Sequence, residues 1–144
     1  MWPVHADHLG MYGDVDISLD TFPYAGTTTT CESLYMGVPC VTLAGACHAH
    51  NVGVSLLTSI GLDKQWIAHS ENEYVNLAVQ AGKNVHALSK LRKGLRQQML
   101  SSPLCDAESF VTDLEACYSQ LWKRHVNTSK VTSVQGSEET NQTD

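Results

Sequence analysis

The alternation of apolar and polar positions changes period several times along the chain, and each change marks an element. Val15-Asp16-Ile17-Ser18-Leu19 alternates with a period of two, which predicts a short strand. Asp20 to Gly26 carries Pro23 and Gly26 and reads as a loop. From Thr30 to Met36 the pattern is helical, and Gly37 supplies a left-handed stop with Pro39 just behind it. Pro39-Cys40-Val41-Thr42-Leu43 is apolar and β-branched, as buried parallel strands are. Strand, helix and strand in this order form a βαβ unit, so the predicted fold class is α/β with a parallel sheet.

The next loop, Ala44 to Asn51, is small and bears His48 and His50. A helix follows over 52–60, with Val54, Leu57 and Ile60 turned to the core and Gly61 as its stop. Trp66-Ile67-Ala68 reads as a third short strand. Ser70 and Glu73 have the spacing of a capping box and open a helix to about Ala81. Another runs from about Asn84 to Leu100 on an apolar face of Val85, Leu88, Leu91, Leu95 and Met99, and Ser101-Ser102-Pro103 breaks it. The last helix spans about 107–123 and is capped by Asp106. Its Phe110, Leu114, Cys117, Tyr118, Leu121 and Trp122 share one face, which suits core or interface packing better than cofactor stacking. A helix through His8 to Tyr12 is weakened by its glycines. The reading gives one domain over 1–125 and a disordered tail over 126–144, where Ser, Thr, Gln, Glu and Asn bury too little apolar surface to offset ordering.

Composition narrows the function classes. The chain has 144 residues, 42% apolar and 17% charged, enough for one core. Nine basic against fifteen acidic residues leave a net charge of -6, which argues against nucleic acid as a partner. Lys90, Arg92, Lys93 and Arg96 cluster on a helix and read as a solvated face. No apolar run reaches the length of a membrane span. Five cysteines without a CxxC pair read as reduced thiols. A zinc site from Cys40, Cys47, His48 and His50 fits no standard spacing, and Cys47 with a histidine lacks a third group to make a nucleophile pair. No metal or cofactor is expected.

The candidate chemistry lies in the first loop. A strand end, a loop with Gly26 and a helix start with Thr27, Thr28, Thr29 and Thr30 make an arrangement suited to an anion, because the first N–H groups of a helix have no internal acceptor and carry partial positive charge. Glu32 stands within the first turns, where a carboxylate can accept both hydroxyls of a ribose. A nucleoside diphosphate pocket is one reading; an ordinary threonine loop with a threonine cap is the other. The βαβ context puts this loop and Ala44–Asn51 at the carboxyl ends of the strands, where ligands bind, facing each other across one crevice.

The run from Asp16 to Thr42, with Thr27-Thr28-Thr29-Thr30-Cys31-Glu32 at its centre, resembles the carboxyl-terminal catalytic region of the O-GlcNAc transferase family, and within it the plant SPINDLY branch. His48-Ala49-His50-Asn51-Val52-Gly53 and the helical end through Trp122 extend the likeness over roughly residues 5 to 125. The resemblance implies a partial Rossmann-like carboxyl-terminal half of a two-domain GT-B glycosyltransferase, followed by helices. It implies that Gly26, Thr27, Thr28 and Thr29 lie along the donor diphosphate, that Glu32 holds the ribose, and that His8 lines the nucleotide pocket. Animal members of the family carry histidine and aspartate where this chain has Thr27 and Glu32. The resemblance therefore implies a donor that is GDP-fucose or UDP-GlcNAc, with GDP-fucose favoured, and acceptors that are Ser or Thr residues of nuclear and cytoplasmic proteins, in gibberellin signalling among other settings. The family's proton-transfer residues and its lysine at the phosphates match nothing here, so no catalytic residue is assigned. The chain alone is expected to have little or no transferase activity. A truncated, inactive homologue acting as a binding module is the alternative.

Overall fold

The computed structural model describes residues 7–138, and the chain divides after Asp106 into two units. In the first, strands β1 (Ser18–Leu19), β2 (Cys40–Leu43) and β3 (Ile67–Ala68) form a parallel sheet in the order β1-β2-β3. Ser18 lies opposite Cys40 and Leu19 opposite Val41; on the other side of β2, Thr42 pairs with Ile67 and Leu43 with Ala68. Helix α1 (Thr28–Tyr35) joins β1 to β2. Helices α2 (Val52–Ser59) and α3 (Asp63–Trp66) join β2 to β3. Helices α4 (Glu71–Lys83) and α5 (Val85–Leu100) follow. The expected α/β class and all three strands are present.

Differences from the sequence reading have local causes. The first strand pairs over Ser18 and Leu19 rather than over 15–19. The Val15 N–H is turned back onto the Tyr12 carbonyl, and Asp16 is held by Arg92 of α5. The segment before it is a 3-10 helix over Gly10–Asp14 instead of an α-helix over 8–12. The basic face of α5 is less free than its composition suggests. Besides the Arg92–Asp16 pair, the Arg96 guanidinium lies 4.5 Å from the Tyr35 ring centre and its Nε donates to the Tyr35 carbonyl at 2.6 Å. Helix α3 is a single turn, too short to leave a periodic signature.

Helix ends follow their caps. Gly37 and Gly61 adopt φ values of 79° and 75°, the left-handed conformation that closes α1 and α2. The Ser70 hydroxyl accepts from the Glu73 N–H at 3.2 Å, and the Glu73 carboxylate reaches back to the His69 N–H at 2.7 Å. The Asn84 side chain accepts from the Ala87 N–H at 3.1 Å and starts α5. The core gathers Leu34, Val41, Leu57, Trp66, Tyr74 and Leu95 between sheet and helices. Burial of each large side chain stabilises the fold by about 1.5–3 kcal/mol.

The second unit is helix α6 (Ala107–Glu138). It runs past the expected stop near Lys123, because no proline follows Pro103 and Gly136 is the one glycine in its span. Residues 126–138 of the expected tail are thus helical; residues 139–144, expected to be disordered, lie outside the described residues. The face expected to pack is exposed at Phe110, Tyr118 and Trp122.

Two outcomes are expected. Gly37→Ala should destabilise the chain by at least about 1–2 kcal/mol in urea unfolding, from the left-handed backbone alone. The added Cβ would also meet the Arg92 carbonyl oxygen at 2.8 Å. A change within experimental error would show that the turn relaxes.

The second concerns alkali. Burial pushes the Cys40 thiol from 9.0 up to about 12, with the Asp20 charge adding to it. Burial likewise raises the Tyr74 phenol from 10.0 to about 12, with Cys40 and Asp20 adding to it. Both groups are folded in their neutral forms. The stability they confer is complete below the unfolded values and is lost as pH rises from 9.0 toward about 12. Cys40→Ala should be less stable than wild type at neutral pH but lose less stability across that window; equal slopes would clear the thiol.

Candidate functional site

Asp20 ends the strand and starts the loop. Its N–H still bonds to the Val41 carbonyl at 2.9 Å, so the sheet holds its backbone. Its side chain is buried, and both carboxylate oxygens are used. Oδ1 accepts from the Gly26 N–H and Oδ2 from the Thr42 hydroxyl, each at 2.7 Å. The Tyr74 hydroxyl donates to the Asp20 carbonyl at 2.7 Å, and the Tyr74 ring meets Phe22 edge-on with centroids 5.4 Å apart. Thr21 donates to the Tyr24 carbonyl at 2.7 Å, and the Phe22–Pro23 peptide is cis.

The loop delivers the chain to α1 with an open helix start. Thr27 is the residue before the helix, and no side chain caps it. The first backbone bond of the helix is Cys31 N–H to the Thr27 carbonyl at 3.0 Å. The N–H groups of Thr28, Thr29 and Thr30 therefore precede any intrahelical acceptor. Thr27, Thr28 and Thr29 are exposed, whereas Thr30 is buried. The ordinary reading, in which a threonine hydroxyl caps the helix, is not what the structure shows. Gly26 is required by space. A Cβ there would stand 2.8 Å from the hydroxyls of both Thr29 and Thr30 and 3.2 Å from Asp20 Oδ1.

Glu32 lies one turn on from Thr28 and Thr29, on the same side of the helix. Its Oε1 is 3.3 Å from His8 Nε2, and its Oε2 accepts from the Tyr12 hydroxyl at 3.4 Å. Tyr12 also reaches the Thr29 carbonyl at 3.3 Å. His8 and Glu32, chosen on sequence from places 24 residues apart, thus meet. Tyr12 carries no signal in the sequence; nothing in its own pattern points at α1, and only the 3-10 turn aims it there. Burial, followed by the Glu32 charge, raises the Tyr12 phenol above its usual 10.0, so it stays a donor at neutral pH.

The second loop lies against the first, where the βαβ reading expected the two to face each other across a crevice: the Ala25 N–H donates to the Ala49 carbonyl at 3.0 Å. Asn51 stitches the loop to itself. Its Oδ1 accepts from the Gly45 N–H at 3.0 Å, and its Nδ2 donates to the carbonyls of Gly45 and Cys47 at 2.8 and 3.0 Å. The His50 ring packs on Gly45, while Cys47 and His48 are exposed and Cys40 is buried in β2. Among the described residues no group of three or more His, Cys, Asp or Glu side chains could hold a metal ion. A hollow of about 370 Å³, lined by Leu62, Trp66, Leu77 and Leu88, lies apart from both loops.

The profile of glycosyl transferase family 41 matches residues 5–114. The probable UDP-N-acetylglucosamine–peptide N-acetylglucosaminyltransferase SPINDLY of Hordeum vulgare is 61% identical over 119 residues, which are 83% of this chain and 12% of that protein. The protein of the same name from Arabidopsis thaliana is 60% identical over 119 residues, 13% of its length. This chain therefore spans about an eighth of these relatives. Among solved structures, a K341M mutant of the Thermobaculum terrenum O-GlcNAc transferase aligns with a TM-score of 0.78 and 37% identity, covering 89% of this chain and 24% of the other. The family match covers well over half of the chain, including the sheet, both loops and the Thr27–Glu32 helix start: the chain belongs to glycosyl transferase family 41.

Proposed function

We propose that this chain is the donor-binding part of a protein O-glycosyltransferase. The observation that carries the reading is the pairing of an uncapped helix start with Glu32 one turn away, in a family of glycosyltransferases. The diphosphate lies along Gly26, Thr27, Thr28 and Thr29, where backbone N–H groups and hydroxyls donate to its oxygens. The ribose hydroxyls go to Glu32, whose carboxylate is already held among donors by His8 and Tyr12.

In the transfer, a Ser or Thr hydroxyl of a nuclear or cytoplasmic protein attacks the anomeric carbon. A new carbon–oxygen bond forms, the bond to the β-phosphate oxygen breaks, the hydroxyl proton goes to a base, and the nucleoside diphosphate leaves. This segment contributes the charge stabilisation of that leaving group. The donor is GDP-fucose in this reading, with UDP-GlcNAc as its rival. Thr27 and Glu32, the two departures from the animal enzymes, support the first. The names of the SPINDLY relatives support the second.

The test joins this segment to the amino-terminal portion of the barley relative and compares transfer from GDP-fucose and UDP-GlcNAc. Glu32→Ala should weaken donor binding by tenfold or more, since a hydrogen bond to a charged group is worth about 1.5–3 kcal/mol. Unchanged donor affinity by calorimetry would remove Glu32 from the site. Faster transfer from UDP-GlcNAc would settle the donor against GDP-fucose.

A further inference from the structure

Asp20 stands apart from the residues that line the donor: it precedes the helix start, and its carboxylate is turned inward. We infer that Asp20 is a positioning residue for the donor diphosphate, acting through the Gly26 N–H and so through the course of the chain into Thr27, Thr28 and Thr29. The inference rests on the donor-binding reading above and adds a residue to it.

The geometry is specific. A short acid at the end of β1 spans the gap between two elements that carry the site. One oxygen holds Gly26, the last residue before the uncapped threonines, and the other is anchored to Thr42 on the neighbouring strand. The glycines beside the carboxylate leave it this space. A Cβ at Gly53 would come within 2.4 Å of both Asp20 Oδ2 and the Thr42 hydroxyl, and a Cβ at Gly26 within 3.2 Å of Oδ1. Two glycines are thus fitted around one carboxylate. Without that acceptor the Gly26 N–H is free to turn, and Thr27 to Thr29 lose the backbone direction that points their donors at one ligand. An acid so placed need not touch the nucleotide. A buried carboxylate that accepts from a backbone N–H fixes a peptide plane more firmly than a neutral acceptor, because charge-assisted bonds are shorter and stronger.

The experiment uses the ¹⁵N-labelled 144-residue chain, with GDP and UDP added to millimolar concentration and followed by amide shifts. Three observations are read: the exchange rate of the Gly26 amide, the nucleotide dissociation constant, and thermal stability. In wild type the Gly26 amide should exchange slowly. Asp20→Ala should release it and weaken nucleotide binding about tenfold or more, the scale of one charge-assisted bond. Asp20→Asn, which keeps a carbonyl oxygen for Gly26 but loses the charge, should restore part of the affinity and fall between Asp20→Ala and wild type. Gly37→Ala, remote from the loop, should lower stability while leaving the dissociation constant of the folded molecules unchanged; this separates positioning from general destabilisation. Nucleotide binding by Asp20→Ala equal to wild type overturns the inference, as does a wild-type Gly26 amide that exchanges at the rate of an open loop. The latter measurement decides the matter even if the alanine variant does not fold. Failure of the wild-type chain to bind either nucleotide overturns the donor reading and this inference with it, a result distinct from binding that ignores Asp20.

Discussion

A carboxylate with only 6% of its residue surface exposed must find partners, and the way Asp20 finds them shapes this molecule. An unpaired buried charge would cost several kcal/mol, so the surroundings are obliged to supply donors. Two reach the carboxylate, from the loop through Gly26 and from the central strand through Thr42, and α4 adds the Tyr74 hydroxyl on the backbone carbonyl of the same residue. A sheet strand, a loop and a helix far apart in sequence are thereby made to meet at one residue. Tyr74 enters from 54 positions away, so this corner can close only once β3 and α4 are in place.

The helix start beside it shows the opposite economy. Ser70 and Asn84 cap their helices with side chains, whereas α1 begins with three threonines behind Thr27 and has no side-chain cap. A cap is worth about 0.5–2 kcal/mol, and α1 forgoes it with suitable residues at hand. Glu32 is in the reverse condition: its carboxylate already has two partners, the exposed His8 and the half-buried Tyr12. A ligand hydroxyl arriving there exchanges one hydrogen bond for another, so the net gain comes from geometry and from released water more than from the number of bonds.

Much of this was legible in the sequence because it is local. Gly37, Gly61 and the Ser70–Glu73 pair act within one turn of themselves, and the apolar run of Cys40 to Leu43 between helical stretches is a short-range pattern. The threonine run with Gly26 and Glu32 was likewise readable as a unit. What escaped depends on long-range placement. Tyr12 has no signal of its own and acquires one from Glu32, twenty residues later. Arg92 and Arg96 look like solvated charges until α5 is laid against Asp16 and Tyr35. The single turn of α3 is below the length at which periodicity speaks, and α6 continues because nothing in it breaks a helix, which is a weaker signal than a stop.

The two left-handed glycines, Gly37 and Gly61, close α1 and α2 on the chain's way back toward the amino ends of β2 and β3, Gly61 with the turn of α3 still to follow, while Asp20, Gly26 and the Asn51-stitched loop lie past the carboxyl ends of β1 and β2. Tasks are therefore divided between the two rims of the sheet. One rim turns the chain around and tolerates little change; the other displays hydroxyls and a carboxylate on loops whose backbones are tied down from beneath. Exposed side chains such as Thr27 can be exchanged on the second rim without loosening the first. With the donor placed as proposed, drift at such positions alters which nucleotide is accepted while the turns that fold the sheet are inherited unchanged.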